Sequence, residues 1–158
     1  MILTLIRHAR AEDSSPRGDD ASRALTEDGI ARLAKSRAGL LLLGFAPERI
    51  LHSPLLRAVQ TAERLAEVLV PTEVHPGLAC APDQAFIEDL AGRTNRELCC
   101  VGHEPWLTEL ASLLCAGDRG AADFELKKAG AIVLDGEPRA GGMRMTALLT
   151  PRALRLLR

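Results

Sequence analysis

Short apolar runs alternate with amphipathic segments along most of the chain. The first run, residues 2–6, is almost continuously apolar and partly β-branched. Runs of this length and composition are typical of strands that are buried on both faces of a parallel sheet. Similar runs predict further strands at residues 48–52, 72–75, 97–101, 131–134 and 143–149.

Segments with apolar positions three or four residues apart lie between these runs and predict helices. Thr26 is a good N-cap for the first helix, and Gly44 suits its C-terminal end. Ser53 and Pro54 suit the N-cap and first turn of the second helix, whose apolar face extends to Leu69. The predicted helices cover residues 26–44, 53–69, 82–95 and 104–114, with a last turn or two at 151–157. The predicted inward face of the first helix includes Ile30, Leu33, Ala34, Ala38 and Leu41.

The order of these elements predicts the fold class. Four strand–helix units followed by two strands are typical of an α/β protein with a mostly parallel sheet between two helical layers, a three-layer α/β/α sandwich. The last two strands are close enough to form a hairpin. The length of 158 residues and the hydrophobic fraction of 47% predict a single domain, residues 1–158, with a full core. Residues 9–25 are polar and predict a long surface loop beside the end of the first strand.

Composition argues against several classes of partner. The net charge is −1, there is no tyrosine and there is one tryptophan, so no nucleic-acid partner is expected. No apolar stretch approaches the length that spans a bilayer, so no membrane association is expected. The apolar run at the N-terminus is too short for a signal peptide, which predicts a cytoplasmic location.

The four cysteines, Cys80, Cys99, Cys100 and Cys115, lack metal-chelating spacing. Disulfides are not expected in a cytoplasmic protein. Cys99 and Cys100 are therefore predicted to be strand residues that pack as small apolar groups.

Polar side chains follow three of the predicted strands. Arg7 and His8 come directly after the first strand, Arg57 lies one helical turn beyond the second, and His103 follows the fourth. Because the carboxyl ends of parallel strands meet at the same edge of a sheet, we expect these four side chains to converge. Arginine binds phosphate oxygens bidentately, and histidine can attack phosphorus or donate a proton. The sequence therefore predicts a phosphoryl site.

These segments resemble the motifs of the histidine phosphatase superfamily. Residues 5–9 resemble its Arg-His-Gly signature, with Ala9 where glycine is usual. Residues 53–62 resemble the second motif, residues 101–105 the third, and residues 25–29 the opening of the first helix. The resemblance implies a phosphoglycerate mutase-like fold, and the small size resembles the SixA-type phosphohistidine phosphatases within the superfamily.

The resemblance also implies a role for each site residue. His8 would be the nucleophile that becomes transiently phosphorylated, while Arg7, Arg57 and His103 would bind the phosphate anion and stabilise charge during transfer. This agrees with the chemistry, since phosphoryl transfer needs mainly positioning and charge stabilisation. The two guanidinium groups lower the pKa of His8 and so favour the neutral form that attacks. No metal or other cofactor is expected.

One departure from the superfamily bears on the substrate. Many members place an acid after the third strand, whereas Asp83 and Glu88 are the nearest acids here and neither matches well. A sugar alkoxide leaves poorly without a general acid, but imidazole leaves easily from a P–N bond. The sequence therefore favours phosphohistidine presented by another protein at a shallow site. The alternatives are a phosphatase for small phosphate esters with Asp83 or Glu88 as its acid, a mutase, and a catalytically idle phosphate-binding module.

The remaining polar and aromatic residues near the motifs are predicted to be structural or solvated. The structural group is His52, His75 and Trp106, and the solvated group is Arg10, Lys127 and Lys128.

Overall fold

Six strands form one sheet with helices on both faces in the computed structural model, which describes residues 1–66 and 68–157. The strands are β1 Ile2–Arg7, β2 Arg49–His52, β3 Thr72–Val74, β4 Glu97–Gly102, β5 Ala131–Gly136 and β6 Met143–Leu149. The helices are α1 Glu27–Leu42, α2 Leu56–Ala66, α3 Gln84–Gly92, α4 Trp106–Ala116 and α5 Pro151–Leu156. A short 3₁₀-helix, Pro76–Ala79, lies between β3 and α3.

The strand order is β3-β2-β4-β1-β5-β6. The first four strands in this order are parallel, while β5 runs antiparallel to β1 and β6 antiparallel to β5. In the register of the sheet, Arg7 lies opposite Gly102 and His52 lies opposite Val101. The ends of β1, β2 and β4 therefore lie at one edge, and the predicted mostly parallel sheet with a terminal hairpin is confirmed.

Two apolar layers cover the sheet. Leu33 of α1 and Leu65 of α2 pack on one face with Cys99, whereas Leu90 of α3 packs on the other face with Cys100. Adjacent strand residues point to opposite faces, which is why the two cysteines belong to different layers. Both are fully buried and all four cysteines are free thiols, as the sequence predicts. The three-layer α/β/α fold is confirmed.

The buried face of α1 differs from the predicted one. Leu33 is buried as expected, but Leu41 is 47% exposed and Ala34 is exposed, while Ser36 and Gly39 are buried. A Cβ on Gly39 would lie 2.1 Å from the carbonyl oxygen of Leu154, so the α1 backbone packs directly against α5. A count of apolar positions misses this face because glycine and serine do not register as apolar.

Helix α2 begins later and ends earlier than predicted. It begins at Leu56, because the Ser53 hydroxyl accepts the N–H of Leu55 at 3.2 Å and holds residues 53–55 in a turn. Leu69 lies beyond the helix and is 89% exposed. In contrast, Thr26 caps α1 as predicted, since its side chain accepts the N–H of Gly29 at 2.9 Å.

Within the described part of the chain, no helix is both long enough and apolar enough to cross a membrane.

Candidate active site

The ends of β1, β2 and β4 are tied together by main-chain hydrogen bonds. The His8 N–H donates to the Gly102 carbonyl at 3.1 Å, and the Ser53 N–H donates to the Val101 carbonyl at 3.0 Å. The imidazole rings of His8 and His103 are consequently 5.0 Å apart between centroids. Because these connections continue the sheet, the position of the rings depends on the register of the strands.

The two predicted arginines lie beside these rings. Arg7 is half-buried and Arg57 is 6% exposed, and the positive charge of each reaches both His8 and His103. His8 and His103 are themselves 7% and 5% exposed. The structure therefore brings together all four side chains that the sequence predicts for the site.

A single hydrogen bond defines the tautomer of His8. Its Nδ1 lies 2.7 Å from the Ala9 carbonyl oxygen, and because a carbonyl only accepts, Nδ1 carries the proton. The lone pair is therefore on Nε2. The Ala9 N–H donates to Thr61 Oγ1 at 3.1 Å, and the Thr61 hydroxyl donates to the Arg57 carbonyl at 2.6 Å. These bonds fix the turn after β1 against α2 and so hold the ring in one orientation.

Burial and positive charge keep both histidines neutral. Burial lowers the pKa of His8 from 6.5 to about 3, with further lowering by His103, Arg57 and Arg7 and an opposing effect of the bond to Ala9. Burial and the charge of Arg57 lower the pKa of His103 to about 4. At neutral pH, His8 therefore has an unprotonated nitrogen that can attack an electrophile.

Three buried donors at the site have no protein partner among the described residues. They are Arg7 Nε, Arg57 Nε and His103 Nδ1. Arg7 Nη1 donates to the Leu126 carbonyl at 3.0 Å, and both terminal nitrogens of Arg57 donate to Asp20. Buried donors are normally satisfied, so this set indicates a place for a multivalent acceptor. A tetrahedral oxyanion offers acceptor oxygens in several directions and matches such a set.

Ser53 hydrogen-bonds to the ring of His103. Its Oγ accepts from the Leu55 N–H at 3.2 Å and lies 2.8 Å from His103 Nε2. When the hydroxyl donates its proton to Nε2, the ring carries its own proton on Nδ1, the buried atom without a partner. His103 is then a donor toward an anion while remaining neutral. The sequence predicted Ser53 only as a helix cap, so this contact is one that pattern reasoning missed.

Asp20 is a second residue that the sequence did not single out. Its Oδ2 binds Arg57 Nη2 at 2.9 Å and its carbonyl oxygen accepts from Arg57 Nη1 at 2.8 Å, while Arg23 pairs with Oδ1. The side chain of Arg57 is thereby held at two points, and its Nε remains available. The predicted loop at residues 9–25 does border the site, and Asp20 and Ala9 are residues by which it does so.

Glu104 is a third missed residue, and it follows His103 directly. Its Oε2 accepts the hydroxyl proton of Thr108 at 2.5 Å, while Oε1 is buried without a partner in the described chain. Burial raises the pKa of this carboxyl, against the lowering effects of the Thr108 bond and the positive charge of Arg7. Glu104 is therefore a carboxyl close to the site that binds a proton more readily than an exposed one.

The two acids that the sequence offered have other contacts. Asp83 is the N-cap of α3, where its Oδ1 accepts the Phe86 N–H at 2.8 Å. Glu88 accepts a hydrogen bond from Gln84 on the exposed surface. Neither carboxylate has a hydrogen bond or an ion pair with a site residue in the described part of the chain.

The two histidines and the tryptophan that the sequence predicts to be structural make structural contacts. His52 Nδ1 donates to the Ser53 carbonyl at 3.0 Å, and His75 caps the 3₁₀-helix and packs against Phe86. Trp106 is half-buried and meets the His103 ring edge-on with centroids 6.3 Å apart, so it packs at the border of the site.

The lowered histidine pKa values make a prediction about activity and pH. Because His8 and His103 stay neutral until about pH 3 and pH 4, the acid limb of kcat/KM should lie below about pH 5 and not near 6.5. The measurement is hydrolysis of 4-nitrophenyl phosphate between pH 4 and pH 9, corrected for ionisation of the substrate. A midpoint near the ordinary histidine value would contradict this account.

The same pKa shifts make a prediction about stability. The unfolded chain binds these protons more tightly, so the free energy of unfolding should fall as pH decreases from about 6.5 to 4.

A second prediction concerns anion binding. Crystals soaked in vanadate or phosphate should show the anion in contact with Arg7 Nε, Arg57 Nε and His103 Nδ1, beside His8 Nε2, because these are the unpartnered donors and the free lone pair. An anion bound elsewhere on the protein, with these atoms unaltered, would refute the site. Asp20→Ala should weaken the binding by releasing Arg57 from its fixed orientation.

The order of the elements and the site define a class of α/β phosphoryl-transfer protein, and comparison with known proteins agrees with it. A family model described as "Histidine phosphatase superfamily (branch 1)" matches residues 3–79. An uncharacterized protein of Picosynechococcus sp. is 38% identical over 153 residues, which cover 93% of this chain and 90% of the relative. The chain belongs to the histidine phosphatase superfamily.

Solved structures agree on the fold. The protein histidine phosphatase SixA complexed with tungstate has a TM-score of 0.84 and 23% identity, with 98% of this chain and 99% of that chain covered. The alpha-ribazole phosphatase from Shigella flexneri has a TM-score of 0.69 and 18% identity, with 96% and 97% covered. Similar backbones therefore occur in proteins named for different substrates.

Proposed function

We propose that this protein is a phosphatase that hydrolyses protein phosphohistidine through a covalent phosphohistidine intermediate on His8. The observation that carries the proposal is the combination of a neutral His8, with its lone pair on Nε2, and three unpartnered buried donors on Arg7, Arg57 and His103. A site that only bound phosphate would need the donors but not a histidine kept neutral and held in one tautomer. Membership of the superfamily supports phosphatase activity.

The reaction proceeds in two displacements. In the first, His8 Nε2 forms a bond to phosphorus as the P–N bond of the substrate breaks, and the departing imidazole takes a proton from solvent. In the second, water attacks the phosphorus and loses a proton to solvent as the bond between phosphorus and His8 Nε2 breaks, which releases inorganic phosphate and neutral His8. Arg7, Arg57 and His103 donate to the nonbridging oxygens in both steps and stabilise the charge that develops on them.

The substrate assignment rests on the leaving group. Asp83 caps α3 and Glu88 lies on the surface, so neither acid considered from the sequence is placed to protonate an alkoxide. An imidazole leaving group needs less help, which favours phosphohistidine. The fold likeness to a protein histidine phosphatase points in the same direction.

One observation favours a second candidate, a phosphatase for small phosphate esters. Glu104 is half-buried beside His103, its pKa is raised by burial, and its Oε1 has no partner among the described residues. A carboxyl of this kind is suited to general acid catalysis. The likeness to an alpha-ribazole phosphatase shows that the backbone is also found in a protein named for a small-molecule substrate.

The test of the proposal is direct hydrolysis of a phosphohistidine-bearing protein. A histidine-containing phosphotransfer domain phosphorylated with phosphoramidate serves as substrate, and ³¹P NMR follows the loss of the phosphohistidine signal and the gain of inorganic phosphate. Enzyme-dependent loss supports the proposal. Turnover of 4-nitrophenyl phosphate without loss of phosphohistidine contradicts it.

Metal independence is part of the proposal and can be tested separately. The described residues offer no group of three or more His, Cys, Asp or Glu side chains that could hold a metal ion. Dialysis against EDTA should therefore change kcat for 4-nitrophenyl phosphate by less than about twofold. Loss of activity that returns on addition of Mg²⁺, Mn²⁺ or Zn²⁺ would count against the mechanism.

A further inference from the structure

A groove with a basic lining adjoins the candidate active site. Two cavities of about 530 and 440 Å³ share Asp28, Arg32, Arg152 and Arg155 and are therefore adjacent. This basic groove begins at Arg7 and extends to Lys35 on α1. Its cationic lining between these two residues is Arg10, Arg32, Lys127, Lys128, Arg152 and Arg155.

Most of this positive charge is not neutralised. Among the described residues of the lining, Asp28 supplies the carboxylate. It binds Arg32 Nε at 2.7 Å and Arg10 Nη1 at 3.6 Å, and Glu125 lies 3.4 Å from Lys127 Nζ. No other carboxylate in the described chain lies within 4 Å of the charged groups of Lys35, Lys128, Arg152 and Arg155. The whole chain has a net charge of −1, so the groove is a local concentration of positive charge on a nearly neutral protein.

The position of the groove ties it to the reaction. Arg7 and Ala9 line it and are the residues on either side of His8 in the chain, so the groove begins within one residue of His8. Lys128 and Arg152 are exposed, which suits a surface partner more than an enclosed small molecule. Among the described residues, no aromatic side chain lines either cavity, which disfavours a single-stranded nucleic acid that would stack its bases.

We propose that the basic groove binds an acidic segment of the protein that presents phosphohistidine to His8. The proposal rests on the proposed function, and it adds the recognition element that the phosphate site lacks. Phosphate contacts at Arg7, Arg57 and His103 are the same for every substrate. The groove supplies contacts that distinguish one phosphohistidine protein from another through the charge of the flanking residues.

The expected size of the effect follows from the exposure of the groove. A single solvent-exposed ion pair contributes up to about a fivefold change in affinity, and several together reach about tenfold or more. The effect should appear mainly in KM and should diminish with salt, because the charges are separated by solvent.

The experiment compares two phosphohistidine peptides of about twelve residues that differ only in four flanking positions, glutamate in one and glutamine in the other. At low ionic strength, the wild-type protein should hydrolyse the glutamate peptide with a kcat/KM about tenfold higher. The double variant Lys128→Glu/Arg152→Glu should abolish or reverse this preference. Its hydrolysis of 4-nitrophenyl phosphate should stay within about threefold of wild type.

A matched control places the same change of charge elsewhere. Arg139→Glu/Arg144→Glu lies at the β5–β6 turn, where Gly136 bonds to Met1 at the opposite edge of the sheet from Arg7. This control should retain the preference for the glutamate peptide. Loss of the preference in the control as well would show a general effect of net charge and would overturn the proposal.

An inhibition assay distinguishes a wrong assignment of the groove from a wrong proposed function. The unphosphorylated glutamate and glutamine peptides and inorganic tripolyphosphate are each tested as inhibitors of 4-nitrophenyl phosphate hydrolysis. Stronger inhibition by the glutamate peptide, lost in Lys128→Glu/Arg152→Glu, supports the groove even if neither phosphopeptide is hydrolysed, in which case the proposed function fails alone. Equal inhibition by both peptides, or groove-dependent inhibition by tripolyphosphate alone, overturns the acidic-segment assignment.

Discussion

Replacement of His8 by alanine should lower kcat for 4-nitrophenyl phosphate and for phosphohistidine at least about a thousandfold, because the covalent route then has no nucleophile. The neutral ring is held in one tautomer by the Ala9 carbonyl, which leaves Nε2 free to attack, whereas Nε2 of the other site histidine, His103, is hydrogen-bonded to Ser53. The three phosphate donors do not depend on His8, so binding of vanadate or phosphate should persist. Loss of turnover with retained binding is the expected combination.

The control for this variant is another histidine outside the site. His75 caps the 3₁₀-helix through Nδ1, and His75→Asn supplies a side chain that caps as well. Its kcat should remain within about threefold of wild type. Thermal unfolding of His8→Ala should remain a single cooperative transition, which shows that the loss of activity is not loss of the fold. A His8→Ala protein that retains more than a few per cent of activity would refute the assignment of the nucleophile.

The four predicted site residues were within reach of sequence reasoning because each lies at the end of a strand or in the first turn of the helix that follows one. Arg7, His8 and His103 lie at the ends of β1 and β4, whose register is dictated by continuous apolar runs. Arg57 lies at the start of a helix whose apolar spacing is clear. Where a residue's position depends on a neighbouring strand or helix, the pattern along the chain is enough to place it.

Residues that reach the site through long-range contacts were not predictable in this way. Asp20 lies 37 positions from Arg57 in an irregular loop, and no periodicity indicates that the two meet. From the sequence, Ser53 looks like a helix cap. Its hydroxyl gains His103 as a further partner only because β2 and β4 are neighbours in the sheet. Glu104 could have been noticed from its place after His103, but its burial depends on the packing of Thr108 and the segment around Phe124.

The same distinction, between local pattern and long-range contact, explains why the predicted buried face of α1 was wrong. Gly39 faces inward on α1 because α5 packs directly on the α1 backbone, a contact between segments more than a hundred residues apart. Apolar spacing instead assigned Leu41 to the buried face. The sequence therefore predicted which elements exist and their order, while close backbone contacts between distant elements had to come from the structure.

The second large effect concerns the leaving group. Without an acid in the usual place after β3, an alkoxide must leave largely unaided, whereas imidazole and nitrophenolate can do so. General acid catalysis is typically worth about a hundred- to ten-thousandfold. The protein should therefore favour phosphohistidine over sugar phosphates by roughly that factor in kcat/KM. The measurement is a side-by-side assay of one phosphohistidine protein and a panel of sugar phosphates at fixed pH and ionic strength.

Glu104→Gln decides whether an acid is present in a different place. The amide keeps an acceptor for the Thr108 hydroxyl, so the local packing is preserved while the dissociable proton is removed. Phosphohistidine turnover should change by less than about threefold, since imidazole does not depend on this carboxyl. Asp83→Asn is the matched control, because asparagine also caps α3. If sugar phosphates prove equal or better substrates and Glu104→Gln lowers their kcat/KM by a hundredfold or more, Glu104 is the general acid and the protein is a small-molecule phosphatase.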